Sequence, residues 1–393
     1  MVDFLNYIKN IVSKSKGLFS LGFATIISNG LGGIFWLYMS TLLGTEDYGK
    51  ISYFISIAII ASTISLAGMS NTMIIYKAKG EKIQPVLYLI GIISPIITSI
   101  ILFFVFLDEL SISLYVIGYV MFTLVTSELI GLKLYVKYSK LILVQKGLFV
   151  TLALVFYHLM GFQGVIWGIA ISFLPFFIIM FKTFKIEKID FSILKNKYRF
   201  IVNSYLLDLT NAFNGSLDKI IIAPILGYVL LGNYQLGIQF IALLGIFPGI
   251  FYQYILPHDA SGNSTKTIKK IMILISIVVS IGSLILSPFV IPVLFPNFTE
   301  VVEIIQIMSF SIVTSAIVSA YVSKYLGLTK SNIVIVGSGF YLVVQIPTLL
   351  ILGELWGVNG AAFSVLIASG VHAAYFIIID QIFKNQKKSN RKL

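Results

Sequence analysis

Five polar side chains crowd one otherwise apolar stretch, Asn203 to Leu226: Asp208, Asn211, Asn214, Asp218 and Lys219. The stretch is long enough to cross a bilayer, which takes roughly 20 apolar residues. An ionisable group at the centre of a membrane helix costs about 2.5–3.5 kcal/mol, so chains keep one only where it faces protein or water. Spacing tells which way these face. At ~100° per residue in an α-helix, Ser204, Asp208, Asn211, Gly215 and Asp218 fall on one stripe, flanked by Asn214 and Lys219. Leu206, Leu209, Phe213, Leu217 and Ile220 cover the opposite side. Two chemistries suit such a stripe: an internal salt bridge that joins helices, or the lining of a path or binding cavity. Asp208 lies about 12 Å from Phe200 at 1.5 Å per residue, too deep for a short side chain to reach the headgroups. A carboxylate there must be hydrated, paired or protonated. No cation of similar depth is evident, so hydration by a cleft is expected, which suits proton or ion exchange. Lys219 lies about 29 Å along the same helix and either snorkels to the outer headgroups or serves an anion.

Other candidates are more isolated. Glu128 sits in FTLVTSELIG (122–131), about 12 Å from the inner end of its span, as a partner for a lysine such as Lys133 or as a cavity acid. Asn29, among Ser28, Gly30, Gly32 and Gly33, reads as an interhelical hydrogen bond or a cavity ligand. His258-Asp259 is an adjacent pair that reads as solvated loop. There is no cysteine, so thiolate metal sites and cysteine nucleophiles are excluded. The three histidines, His158, His258 and His372, have no metal-type spacing, and no metal or organic cofactor is expected.

The elements that must position these groups are membrane helices. Of 393 residues, 58% are hydrophobic and 11% charged, against about 25% charged in soluble domains. Twelve spans are expected, near 18–43, 48–76, 83–107, 111–136, 139–160, 163–184, 200–226, 230–256, 270–295, 300–326, 331–353 and 356–382. The first sixteen residues, with Lys9, Lys14 and Lys16, read as an amphipathic start. The net charge of +12 reflects orientation, not nucleic acid. Lysines fill both ends and alternate connections: Lys77, Lys79 and Lys82; Lys133, Lys137, Lys140 and Lys146; Lys182 to Arg199; Lys266, Lys269 and Lys270; Lys324 and Lys330. The other connections carry Glu46, Asp47, Asp108, Glu109, Glu300 and Glu354, with only Lys50 and Lys219 out of place. By the positive-inside rule both termini are cytoplasmic.

The basic stretch 185–199 divides the chain into six-span halves, 1–184 and 200–393. LLGTEDYG (42–49) after span one echoes ILGYVLLGNY (225–234) after span seven, with Gly32 and Gly215 in corresponding places. GFQGVIWGIAIS (161–172) opens span six as WGVNGAAFSVLIAS (356–369) opens span twelve. The halves are therefore parallel repeats, and such proteins usually bind substrate between them.

These motifs, with Leu217-Asp218-Lys219-Ile220-Ile221-Ile222, Gly232-Asn233-Tyr234 and Tyr254-Ile255-Leu256-Pro257, resemble the Wzx-type flippases of the polysaccharide-export family, related to multidrug and toxin extrusion transporters. The resemblance spans nearly the whole chain. It implies an all-α, V-shaped fold of two six-helix bundles in the bacterial inner membrane. It implies movement of an undecaprenyl-pyrophosphate-linked oligosaccharide to the outer leaflet, driven by H⁺ or Na⁺, with a polysaccharide polymerase and chain-length proteins as partners. Lys219 would then meet phosphate, while Asp208 and Asp218 would exchange ions or contact sugar hydroxyls. The family is also described as having a cationic cavity, yet few cations besides Lys219 are evident deep in these spans. A cation-coupled multidrug exporter is the alternative in the same fold. A membrane-embedded transferase or polymerase would need a large polar loop with clustered acids or His–Asp sets, and a channel a repeated filter; neither is present in the sequence.

Overall fold

The computed structural model describes residues 2–107, 109–184, 189–195, 197–261, 264–328 and 330–389. Asp108, Asn196, Arg391 and Lys392 lie outside them. The described residues form α-helices joined by short turns, with no strand. In order these are α1 (Val2–Leu66), α2 (Met69–Ala78), α3 (Gln84–Val105), α4 (Leu110–Gly131), α5 (Tyr135–Met160), α6 (Phe162–Ile171), α7 (Phe177–Phe184) and α8 (Ser192–Lys195). Then come α9 (Tyr198–Leu226), α10 (Tyr228–Leu244), α11 (Ile246–Ala260), α12 (Lys266–Leu294), α13 (Val301–Gly327) and α14 (Ser331–Ser389).

Among the described residues, eight helical stretches are long and apolar enough to cross a bilayer, and α10 with α11, bent by 40°, makes a ninth. Two of the eight, Gly22–Leu66 and Ser331–Gln386, run 45 and 56 residues and break at Gly44 and at Trp356–Gly357. Each is therefore long enough for two crossings. α9, the expected seventh span, is absent from these nine because of the polar groups that mark it in the sequence. Many hydroxyls inside the spans bond a carbonyl of their own helix: Ser62 donates to the Ala58 carbonyl at 2.6 Å, Ser276 to Met272 at 2.8 Å and Thr348 to Val344 at 2.7 Å.

The repeat is visible in backbone geometry. Gly44 and Gly227 both have positive φ, 72° and 83°, which favours glycine. Five residues after each comes Gly49 or Gly232. A Cβ on Gly49 would stand 1.9 Å from the Tyr228 carbonyl oxygen, and one on Gly232 would stand 1.9 Å from that of Thr45. The two echoed loops thus cross reciprocally, each glycine against the residue that follows its counterpart's turn. At the other echo, Gly161 and Gly357 have φ of 67° and 59°. A Cβ on Gly164 would meet Phe156 O at 1.9 Å, and one on Gly360 would meet Leu352 O at 1.8 Å.

Contacts group the chain into two compact units, Met1–Trp36 with Phe54–Ala212, and Leu37–Tyr53 with Phe213–Leu393. These differ from the halves 1–184 and 200–393 drawn at the basic stretch. The loop crossing accounts for Leu37–Tyr53 joining the second unit. Gly68 accounts for the start of α9 joining the first, since a Cβ there would lie 2.4 Å from Ile201 O. The first unit holds an aromatic core of Tyr115, Phe122, Phe173 and Phe176. In the second, Ile222, Leu231, Tyr234, Ile304 and Met308 are buried together.

Lys50, out of place in the charge pattern, is neutralised by Glu46 at 2.8 Å and Asp47 at 3.4 Å.

Candidate functional site

α9 is one helix over the whole stretch, and the polar residues of its stripe differ in exposure. Ser204 and Asp218 are buried, Asp208 is half-buried, and Asn211 and Gly215 are exposed. Leu206, on the opposite face, is 55% exposed. The two ends of the stripe do different things.

In the first unit, the chain turns at Ala67–Gly68, both at positive φ, and restarts as α2. One turn later Asn71 donates its amide to Asp208 Oδ1 at 3.1 Å. Ser70, beside it, bonds Ser127 of α4 at 2.9 Å, which fixes α2 against a neighbour. No cation lies within ion-pair distance of Asp208 among the described residues. Its partner is a neutral amide, and the rest of the carboxylate is open.

In the second unit, Asp218 is saturated. Its Oδ2 accepts from the Tyr234 hydroxyl at 2.7 Å, and its Oδ1 from the Lys219 backbone N–H at 2.8 Å and from Lys219 Nζ at 3.3 Å. Lys219 Nζ also donates to Gly215 O at 2.6 Å. Lys219 is 7% exposed and Asp218 5%. This corrects the snorkelling reading: the lysine side chain reaches back one turn to Gly215 and the adjacent carboxylate, and its charge is spent on Asp218. A phosphate meeting Lys219 would have to displace that carboxylate. A cavity of about 220 Å³ opens beside Asn214, Gly215, Asp218 and Lys219, with Ser311 and Tyr341 also in its wall. The Asn214 side-chain oxygen is buried there without a hydrogen-bond partner among the described residues.

The lysine alternation groups Lys146 with an inner connection; the structure places it within α5, about 16 Å from the start of that helix. It is half-buried, with its ammonium 4.5 Å from the centre of the Phe149 ring. A Cβ on Gly32 would come within 3.3 Å of Lys146 Nζ. The paired positions Gly32 and Gly215 thus each lie beside a lysine ammonium. Lys146 has no carboxylate within ion-pair distance among the described residues. Asn29, one turn before Gly32 on α1, is exposed.

Glu128 is committed elsewhere. Tyr88 donates to it at 2.5 Å and Lys77 Nζ lies at 3.6 Å. The expected partner Lys133 is exposed, at positive φ beyond the end of α4, and makes no ion pair with Glu128. His258 and Asp259 belong to α11, not to a solvated loop. Asp259 binds Lys269 at 2.5 Å, Ser323 at 2.7 Å and Thr265, tying the ends of three helices together. Burial alone would raise its carboxyl, but these hydrogen bonds hold it below the ordinary carboxylate range. Among the described residues, no three His, Asp or Glu side chains are placed to hold a metal.

No protein-family model and no curated protein matches this sequence. Solved structures do. The lipid II flippase MurJ, in an inward closed conformation, superposes with a TM-score of 0.72 at 13% identity, over 92% of this chain and 87% of that one. An inward-facing multidrug resistance MATE family transporter of the MOP superfamily gives 0.65 at 14%, over 95% and 99%. A MOP superfamily transporter from Pyrococcus furiosus, described as having a binding pocket of reversed polarity, gives 0.59 at 14%, over 95% and 94%. The fold is that of the MOP transporters.

Within this MOP fold, the expected candidates do not form one cluster. Asp208 and Glu128 lie in the first unit but have separate partners, while Asn214, Asp218 and Lys219 line one cavity in the second. Sequence reading missed Asn71, Lys146 and Tyr234. Lys146 is visible in hindsight, since it follows Leu141, Ile142, Leu143 and Val144 and so already lies inside an apolar run. Asn71 has no such signal, because a lone asparagine near a span end is commonplace.

Proposed function

We propose that this protein is a flippase, carrying an undecaprenyl-pyrophosphate-linked oligosaccharide across a bacterial inner membrane by alternating access. The observation that carries this reading is Lys146. A half-buried ammonium at mid-helix, beside a glycine and without a carboxylate among the described residues, has unspent positive charge to offer a pyrophosphate. Arginine- or lysine-to-phosphate contacts are the strong, charge-assisted kind. The same lysine argues against the multidrug reading, because cationic compounds would meet like charge. The likeness in fold to MurJ, a lipid II flippase, supports the flippase reading. Asn29 and Asn211 are exposed polar groups suited to the hydrated path, and the polyprenyl tail stays in lipid. Asp208, open on one side, is the group assigned to H⁺ or Na⁺ exchange, and Glu128 a structural one. A polysaccharide polymerase and chain-length proteins would take up the product.

The test is surface polysaccharide restored in a deletion strain, with protein level measured in the same cells. Lys146→Gln and Asp208→Asn are expected to reach normal levels and lose most export. A lost charge-assisted contact is worth about 1.5–3 kcal/mol, or roughly ten- to hundredfold. Lys146→Arg and Asp208→Glu should keep part. Unpolymerised lipid-linked units should accumulate on the cytoplasmic leaflet. Full export by both neutral variants would refute the assignment.

Orientation is tested separately. The native chain has no cysteine, so a single cysteine at Asp190, an exposed position, reports cleanly. It should react with impermeant maleimide only after the membrane is opened. Labelling of intact cells would invert the map.

A further inference from the structure

The cavity beside Asn214 does not end there. A second space of about 380 Å³ shares Ile241, Ala242, Ser311, Tyr341 and Val365 with it and continues to Ser369 and His372. The two spaces adjoin across these shared residues of the second unit and are taken together as one chamber, whose wall has a definite chemistry.

Among the described residues the wall holds no spare charge. Asp218 and Lys219 neutralise each other, and the remaining carboxylate oxygen is taken by Tyr234. A metal cation or an organic cation would find no open carboxylate, and a phosphate no open ammonium. What the wall does present is acceptors. Ser311 donates its proton to Met308 O at 2.6 Å and Ser369 to Leu366 O at 2.9 Å, so both leave lone pairs for the chamber. The Asn214 side-chain oxygen and His372 Nε2 are buried without hydrogen-bond partners among the described residues, and Nε2 accepts when the ring proton sits on Nδ1. A buried polar atom left unsatisfied costs about 1–3 kcal/mol, so these positions call for a donor. Between them lie apolar faces and two rings, Tyr341 and His372, with centroids 6.0 Å apart.

A molecule with several hydroxyl donors, apolar C–H faces and no charge matches that wall. We propose that this chamber binds a neutral pyranose, one sugar unit of the transported glycan. The proposal rests on the flippase reading for the source of the sugar, and adds where in the chain it is held and by which atoms. Asn214 and His372 accept from hydroxyls at opposite ends, Ser311 and Ser369 accept along one side, and the ring of Tyr341 covers a C–H face.

The experiment uses the purified full-length protein in lipid nanodiscs and reads its thermal unfolding midpoint. The probes are glucose, galactose, rhamnose and N-acetylglucosamine, against sodium, pyrophosphate and tetraphenylphosphonium. At least one pyranose is expected to raise the midpoint with dose, because a ligand that binds only the folded state stabilises it. Ser369→Leu, which fills the chamber, and His372→Phe, which removes an acceptor at similar shape, should abolish that rise. The wild-type panel decides even if either variant fails to fold. No rise with any pyranose, or a rise with sodium or the organic cation alone, overturns the proposal. So does a rise that survives in both variants. Export of polysaccharide by wild-type protein that shows no pyranose response would sink this site while leaving the flippase reading intact.

Discussion

Lys219→Met alone is expected to destabilise the protein by about 3–5 kcal/mol, the cost of leaving one member of a buried ion pair without its partner. Adding Asp218→Asn in the same chain should recover most of that loss. The reason is local. Asp218 and Lys219 are both nearly fully buried, and the ammonium that compensates the carboxylate comes from the very next residue. Without it, Asp218 keeps only the Tyr234 hydroxyl and a backbone N–H, which are neutral donors. A double-mutant cycle on unfolding in nanodiscs or mild detergent measures the coupling. Additive losses in the double variant would mean that the two side chains do not depend on each other. The outcome also bears on transport. If the doubly neutral protein folds and still exports, Lys219 is a structural charge and the phosphate contact belongs to Lys146.

Gly49→Leu and Gly232→Leu are each expected to abolish accumulation of folded protein. Each would place a Cβ 1.9 Å from a backbone carbonyl oxygen, and a backbone held by two helices cannot step aside as a side-chain tip can. Overpacking usually costs about 1–3 kcal/mol, and a backbone collision of this depth lies at or above the top of that range. Gly30→Leu is the control, since nothing stands within 4 Å of a Cβ there. Membrane-fraction yield and thermal midpoint are the readouts. Because both glycines serve one crossing, the milder pair Gly49→Ala and Gly232→Ala should cost less together than the sum of each alone. Normal yield of either leucine variant would show that the crossing opens freely.

The fold class was legible because the bilayer permits so little else. The apolar helices and the repeat follow from apolar length and echoed glycine motifs, while orientation rests on lysine placement alone and is left to the labelling test. The stripe on α9 is legible as spacing only, and in the structure its acids take separate partners, Asp208 with Asn71 and Asp218 with Tyr234 and Lys219. What the sequence left open were pairings. Lys219 looked available for phosphate because neighbours in sequence are not usually partners on a helix, yet a lysine long enough to curl back reaches the preceding carboxylate. Glu128 took its lysine from α2 rather than from the nearby Lys133, because the turn after α4 sends Lys133 outward. Lys146 was absorbed into a loop count that tallied charge without regard to depth. Asp208 was expected to lack a cation, and it does among the described residues, but its amide partner comes from a segment 137 residues away in sequence.

The crossing of Gly49 and Gly232 has a consequence for how relatives of this chain can be compared. The contact is made by main chain on both sides, so there is no pair of side chains to change in step. A larger residue at one position cannot be answered by a smaller one at the other, because the counterpart is already hydrogen. Methods that find proximity from paired substitutions will therefore be blind at this point, although each glycine meets backbone that a single methyl group would strike. Any record of the contact across descent would be two positions that do not vary, rather than two that vary together.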